Sequence, residues 1–298
     1  MNIYIQGLRR SGTTILFNLF KFISDFQCYY EPLADVTKKT NHGGANFEHK
    51  GNLFSNVKDI RQVFIERNPG VTDSMLNYGA PQWPALEFEM SLPEFVKDYI
   101  SSILSYDDNS CIKFTRMYNK LCDLSSIDQD ALLIHAVRHP FAVVTSYIYG
   151  KNGVRRQRYL DEPSLFFEQR TEGKAWKFGT FSQYILDLEE YQHLENLADF
   201  EKVLLLWKYV NKKTYDDGIK YFGSRYRLIK NEDLRNDVAL TWVNLMTSIG
   251  HDVEESTMEW AREHVHRGES SVHLITDPRW ARAMEKLEMG ALCSSFGY

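Results

Sequence analysis

The chain is short of several things at once. Four cysteines stand far apart among 298 residues (Cys28, Cys111, Cys122, Cys293) and fit no zinc spacing. Cys28 and Cys111 lie in apolar runs, where a buried free thiol is the expected state, so a reducing compartment is implied. Nowhere do about 18 apolar residues run together, which argues against a bilayer-spanning helix. A first strand beginning at residue 3 leaves no room for a signal peptide, and the expectation is a cytoplasmic protein. There is no excess of basic charge: the net charge is −5 and the pI about 6.0. An unspecific nucleic-acid binder would normally be basic. Internal repeats and low-complexity tracts are absent as well.

Ordinary globular composition remains, 43% apolar and 25% charged, with ample length to bury a full core. Ile3 to Ile5 and Ile15 to Phe20 are apolar runs on either side of Gly7-Leu8-Arg9-Arg10-Ser11-Gly12-Thr13-Thr14. That order predicts strand (3–7), glycine-containing loop and helix (13–24). Such a loop turns backbone N–H groups and a helix N-terminus toward one point, a ready anion site. The spacing is that of a triphosphatase phosphate loop, except that Thr13 stands where those enzymes carry lysine. The Thr13 and Thr14 hydroxyls can donate to anion oxygens.

Further along, 37–82 is polar and rich in Asn, Gly and Pro, and reads as an irregular excursion with a short helix near 57–66. Ser91-Leu92-Pro93-Glu94 predicts a serine-capped helix running to about 105. Cys111 to Thr115 and Ala131 to Val137 read as buried parallel strands, and His139-Pro140 opens a helix to about 149. The stretch 151–182 is basic, aromatic and weakly periodic. Helices are expected at 182–194, 199–222, 232–249, 253–264 and 278–292, and a strand at 226–230. Strands alternating with helices predict an α/β fold with a parallel sheet covered on both faces.

Arg138 falls at the end of a predicted strand and Ser146 two turns into the next helix. Such a pair can clamp a phosphate from two directions, although an arginine there can equally cap carbonyls or meet a carboxylate. Lys113 and Arg116 lie on or just past another strand. His135 sits inside a strand, as core histidines do, and His139 precedes a proline. His264 and His266 have no third ligand at usable spacing, so zinc is not expected. Arg155, Arg156 and Arg158 either attract an acidic acceptor or form a solvated face. Trp83, Tyr147, Tyr149, Tyr159 and Trp176 either stack on an acceptor or belong to the core.

Together, Arg10-Ser11-Gly12-Thr13-Thr14 and Val137-Arg138-His139-Pro140 with Ser146 resemble the sulfotransferases that use 3′-phosphoadenosine 5′-phosphosulfate (PAPS). Weaker echoes are Lys230-Asn231-Glu232-Asp233-Leu234, resembling the family's Tyr-Glu-Asp-Leu with Asn231 for tyrosine, and the terminal Gly297-Tyr298. Residues 37–110 and 150–182 do not align with the family pattern. The resemblance implies a three-layer architecture like that of phosphate-loop NTPases, with one sulfotransferase domain over 1–298. In it, 37–82 and 150–182 would be irregular insertions shaping the acceptor site.

It implies that Arg9, Arg10, Ser11, Gly12, Thr13 and Thr14 hold the 5′-phosphosulfate, and that Arg138, Ser146, Arg267 and Ser270 hold the 3′-phosphate. Arg10 would also balance charge on the leaving phosphate and the sulfuryl oxygens. Glu31, 21 residues after Arg10, resembles the glutamate base of the tyrosylprotein branch; its alternative is a structural carboxylate. Lys113 would assist transfer as a cation, with Arg116 a substrate or structural partner. The implied reaction moves a sulfuryl group, without metal, to a hydroxyl or amine of a carbohydrate or small molecule, with no nucleic-acid partner. The missing lysine suits that reading, since a sulfuryl group carries less charge than the γ-phosphate that a loop lysine and Mg²⁺ offset. Two competing functions are a Mg²⁺-dependent kinase or nucleotidase and a non-catalytic nucleotide-binding protein.

Overall fold

The computed structural model describes residues 1–36, 55–78, 84–150, 153–168, 178–265 and 272–298. They fall into two compact units, Met1–Val137 with Lys213–Gly268, and Arg138–Lys212 with Glu269–Tyr298.

The first unit is built on an all-parallel sheet of five strands flanked by helices. In chain order its first part runs β1 (Asn2–Gln6), α1 (Thr13–Phe20), β2 (Gln27–Tyr30), α2 (Ser55–Arg67), α3 (Asp73–Leu76), α4 (Pro84–Phe88) and α5 (Glu94–Leu104). It continues with β3 (Ser110–Phe114), α6 (Leu121–Ile127) and β4 (Leu132–Val137). The second unit follows with α7 (Pro140–Tyr149), α8 (Gly153–Asp161), α9 (Pro163–Phe167) and α10 (Phe178–Leu186), and the chain re-enters the first within α11 (Asp199–Phe222). β5 (Tyr226–Lys230), α12 (Asn231–Asn236), α13 (Val238–Ser248) and α14 (Glu255–His264) complete the first unit; α15 (Pro278–Lys286) and α16 (Gly290–Ser295) belong to the second.

The strand order β2-β3-β1-β4-β5 puts the first strand at the centre. Ile3, Tyr4 and Ile5 are fully buried, as a strand covered on both faces requires. From β1 the chain moves out to β2, returns to β3, then crosses β1 to reach β4 and β5. The direction of winding therefore reverses beside β1, and in open parallel sheets ligands bind past the strand C-termini at such a point. Because all strands run the same way, the residues that follow β1, β2, β3 and β5 emerge at one edge: Gly7, Glu31, Thr115 and Asn231.

Several expected boundaries differ. α1 stops at Phe20 rather than 24, because Phe22 and Ile23 N–H groups bond three residues back, to Leu19 and Phe20, and wind the chain out of α-helix. Ser91 is not a helix cap. Pro93 occupies that position, and the Leu92 N–H is taken by Asp123. The helix expected over 232–249 is two, split where extended Asp237 caps α13 by accepting from Leu240 N–H at 3.0 Å. The last helix is likewise two. Glu288 takes a φ of 49°, and Met289 N–H reaches back to the Met284 carbonyl, a helix-ending reversal. The described parts of 37–82 and 150–182 are largely helical, with α2 longer than the short helix expected near 57–66. No helix among the described residues is long and apolar enough to cross a membrane.

Candidate functional site: a glycine loop and a paired carboxylate at the sheet edge

The loop after β1 is held in shape by two glycines and by backbone geometry. A β-carbon on Gly7 would sit 2.4 Å from the Ala136 carbonyl oxygen and 2.9 Å from Thr13 Cγ2, so only glycine lets β1 run past β4 here. Gly12 caps α1 with a φ of 89°, and Arg10 is also left-handed, at 76°. Ser11 N–H closes the turn on the Leu8 carbonyl at 3.0 Å, whereas the N–H groups of Gly12, Thr13 and Thr14 donate to no carbonyl among the described residues. No side chain among the described residues caps the helix. The Ser11 hydroxyl is buried and has no hydrogen-bond partner among the described residues. A buried hydroxyl left in this way costs about 1–3 kcal/mol. Together these donors form an unanswered set at a helix N-terminus, the arrangement that suits a phosphate or sulfate group. Thr14 Oγ1 lies 3.5 Å from the Tyr30 hydroxyl.

The two loop arginines have different surroundings. Arg10 is exposed. Arg9 is buried and forks onto Glu87, Nη1 to Oε2 at 3.0 Å and Nη2 to Oε1 at 3.1 Å. Its side chain anchors the loop to α4. Glu87 also accepts from the Tyr118 hydroxyl at 3.1 Å and has Arg116 Nε at 3.6 Å, while its backbone carbonyl accepts from Lys120 Nζ at 3.0 Å. Burial pushes the Lys120 ammonium down to about 8.

Next along the edge is Glu31. Its Oε1 accepts from both Lys113 Nζ and Thr115 Oγ1, each at 2.7 Å; Oε2 accepts no hydrogen bond among the described residues. Burial alone would raise the carboxyl pKa, but the Lys113 and Arg116 charges and the two hydrogen bonds outweigh it and hold it below the ordinary 4.5. Burial works against the Lys113 charge too, and Glu31 with Tyr30 reverses that and raises it. The ammonium also stands 4.3 Å from the centre of the Tyr30 ring. Glu31 takes a φ of 45°, a left-handed conformation that costs a non-glycine residue roughly 1–2 kcal/mol. Its backbone is fixed on both sides: its N–H continues the ladder to the Lys113 carbonyl, and its carbonyl accepts from Ala34 N–H. Arg61, fully buried, then ties the following turn down by donating to the Pro32, Ala34 and Leu76 carbonyls.

In the second unit, Arg138 directly follows β4 and Ser146 lies two turns into α7. Both backbones are engaged: the Arg138 carbonyl accepts from Trp207 Nε1 at 2.9 Å, and the Ser146 carbonyl from Gly150 N–H. His139 caps α7 by accepting from Phe141 N–H at 3.3 Å. His135 is a core residue whose Nδ1 pairs with the Tyr226 hydroxyl at 2.8 Å. Arg267, Ser270, His266, Trp83 and Trp176 lie outside the described residues, as does the Arg155 side chain. Among the described residues no group of three or more His, Cys, Asp or Glu is placed to hold a metal ion.

No protein-family model matches the sequence, and no curated protein matches it. Solved structures do. The sulfotransferase STF9 from Mycobacterium avium superposes with a TM-score of 0.52 at 12% identity, covering 99% of this chain and 76% of that one. The fold is that of the sulfotransferases. Two sulfotransferase domains align at lower scores. That of the Synechococcus PCC 7002 olefin synthase gives a TM-score of 0.48 at 16% identity, over 100% of this chain and 95% of that one. That of the curacin biosynthetic pathway gives 0.49 at 14% identity, over 96% of each.

Within this sulfotransferase fold, three site features escaped the sequence reading. Glu87 sits in a five-residue helix too short to show a period. Asn231 was legible only as a departure from a family tyrosine. Thr115 had a usable signal: it lies two residues beyond Lys113, and alternate residues of a strand share a face.

Proposed function

We propose that the protein is a sulfotransferase that moves a sulfuryl group from PAPS to a hydroxyl or amine of a carbohydrate or small molecule. The observation that carries this reading is Glu31, a carboxylate kept ionised by Lys113 and Thr115 on one oxygen while the other is open, at the sheet edge that also bears the uncapped loop. For a hydroxyl acceptor, the new bond joins the acceptor oxygen to sulfur, the bond between sulfur and the 5′-phosphate oxygen breaks, and the acceptor proton goes to Glu31 Oε2. The loop N–H groups and the Ser11, Thr13 and Thr14 hydroxyls hold the 5′-phosphosulfate; Arg10 and Lys113 balance charge as it moves to the leaving phosphate. Arg9 serves by fixing the loop through Glu87.

Arg138 and Ser146 are assigned to the 3′-phosphate on the spacing of their motif, and Arg267 and Ser270 on their place before the last helix. One catalytic domain over 1–298 is part of the same reading. So is a cytoplasmic setting, which the four free cysteines suit. Incubation with ³⁵S-labelled PAPS, EDTA and a panel of sugars, phenols and amines tests the reading. Label should appear on an acceptor with equimolar adenosine 3′,5′-bisphosphate. Absence of transfer across the panel, with Mg²⁺-dependent turnover of ATP instead, would replace it with the kinase reading.

A further inference from the structure

Asn231 is the first residue of α12, directly after β5, and its side chain is almost wholly buried. Its Oδ1 accepts from Arg235 Nε at 3.0 Å, which fixes the orientation of the amide and turns Nδ2 the other way. Nδ2 meets the phosphate loop: a β-carbon on Gly12 would lie 2.0 Å from it, so the carboxamide fills the space that any side chain at 12 would need. Among the described residues Nδ2 has no hydrogen-bond partner, and neither has the buried Ser11 hydroxyl of the loop it faces. Burying an amide nitrogen with neither water nor acceptor is costly. Two unanswered donors, one on the glycine loop and one packed against it, beside a helix start whose own N–H groups are uncapped, call for the same acceptor: a tetrahedral oxyanion.

We propose that the Asn231 carboxamide is a wall of this anion cradle, donating from Nδ2 to the 5′-phosphate of the bound nucleotide, with Arg235 as the positioning residue that keeps the amide turned. The proposal rests on the sulfotransferase reading above and adds a neutral donor contributed from the far side of β1, by the segment after β5. Neutral donors of this kind suit a cradle that lacks the loop lysine.

The test measures the affinities of adenosine 3′,5′-bisphosphate, adenosine 5′-phosphate and adenosine 3′-phosphate, in EDTA, for the intact chain and for Asn231→Leu, which keeps the volume and removes the donor. The two ligands bearing a 5′-phosphate should weaken by about 10- to 100-fold, the range of a hydrogen bond to a charged group, and adenosine 3′-phosphate should be unchanged. Equal loss on all three ligands, or no loss on any, overturns the proposal. Failure of the unaltered chain to bind the bisphosphate overturns the sulfotransferase reading first and this inference with it. Should Asn231→Leu not fold, the side-chain amide resonances of Asn231 in the unaltered protein decide. They should shift on titration with adenosine 5′-phosphate and stay put with adenosine 3′-phosphate; the absence of a shift with the 5′-phosphate overturns the assignment.

Discussion

Two carboxylates mark the same edge of the sheet and are used in opposite ways. Glu87 is closed on every side: both oxygens accept from Arg9, Tyr118 adds a third bond, and Arg116 stands nearby. Among the described residues Glu31 has two donors crowded on Oε1 and none on Oε2, and its backbone is held left-handed. Glu87 is saturated and therefore structural. Glu31 is half-satisfied, which is the state a proton acceptor needs. Residue type says little at this edge; the number of open lone pairs decides.

That contrast is sharpest under mutation. Glu87→Ala removes the buried carboxylate onto which Arg9 forks and should cost about 3–5 kcal/mol of stability, as broken buried pairs do; denaturant unfolding reads it. A loss below about 1 kcal/mol would mean that the loop does not depend on this anchor. Glu31→Gln keeps shape and removes the proposed base. Turnover should fall roughly 100-fold or more, with bisphosphate affinity little changed. Near-normal turnover would erase the distinction between the two carboxylates. Arg138→Ala should weaken bisphosphate binding by more than about 1.5 kcal/mol, the scale of a charge-assisted hydrogen bond, and an unchanged affinity would remove Arg138 from the 3′-phosphate.

The smallest effect is in the pH profile. Since the Glu31 pKa is lowered, the ionised form persists through neutrality and is lost only as pH falls through a value below 4.5. The stability it contributes follows the same course, present above the unfolded carboxyl's pKa and lost on the acid side. The profile of kcat/KM should therefore be flat between pH 6 and 7 on its acid side. An acid limb at about 6.5 would point to a histidine base instead.

Much of the architecture was legible because it rests on local rules. β1, the loop and α1 announced themselves through apolar runs around Gly7 and Gly12, and α11 and β5 lie where the sequence pattern placed them. The splits at Asp237 and Glu288 were hidden, since each depends on a single residue breaking an otherwise continuous apolar pattern. At the site, Glu31 and Lys113 were visible as separate charges, but their pairing depends on strand register, Tyr30 opposite Lys113, which periodicity does not supply. The pairing of Arg9 with Glu87 was hidden because the two lie 78 residues apart. Glu87 and Arg61 carry no motif at all; their importance comes from the partners that long-range packing brings to them.

The central claim is that the loop after β1 belongs to a metal-free adenosine bisphosphate site. Calorimetric titration of the full chain with adenosine 3′,5′-bisphosphate, ATP and GTP, each with EDTA and again with Mg²⁺, tests it most directly. The account predicts saturable binding of the bisphosphate in EDTA, unaffected by Mg²⁺ and much tighter than that of either triphosphate. Binding of ATP or GTP that requires Mg²⁺, with none of the bisphosphate, would contradict it.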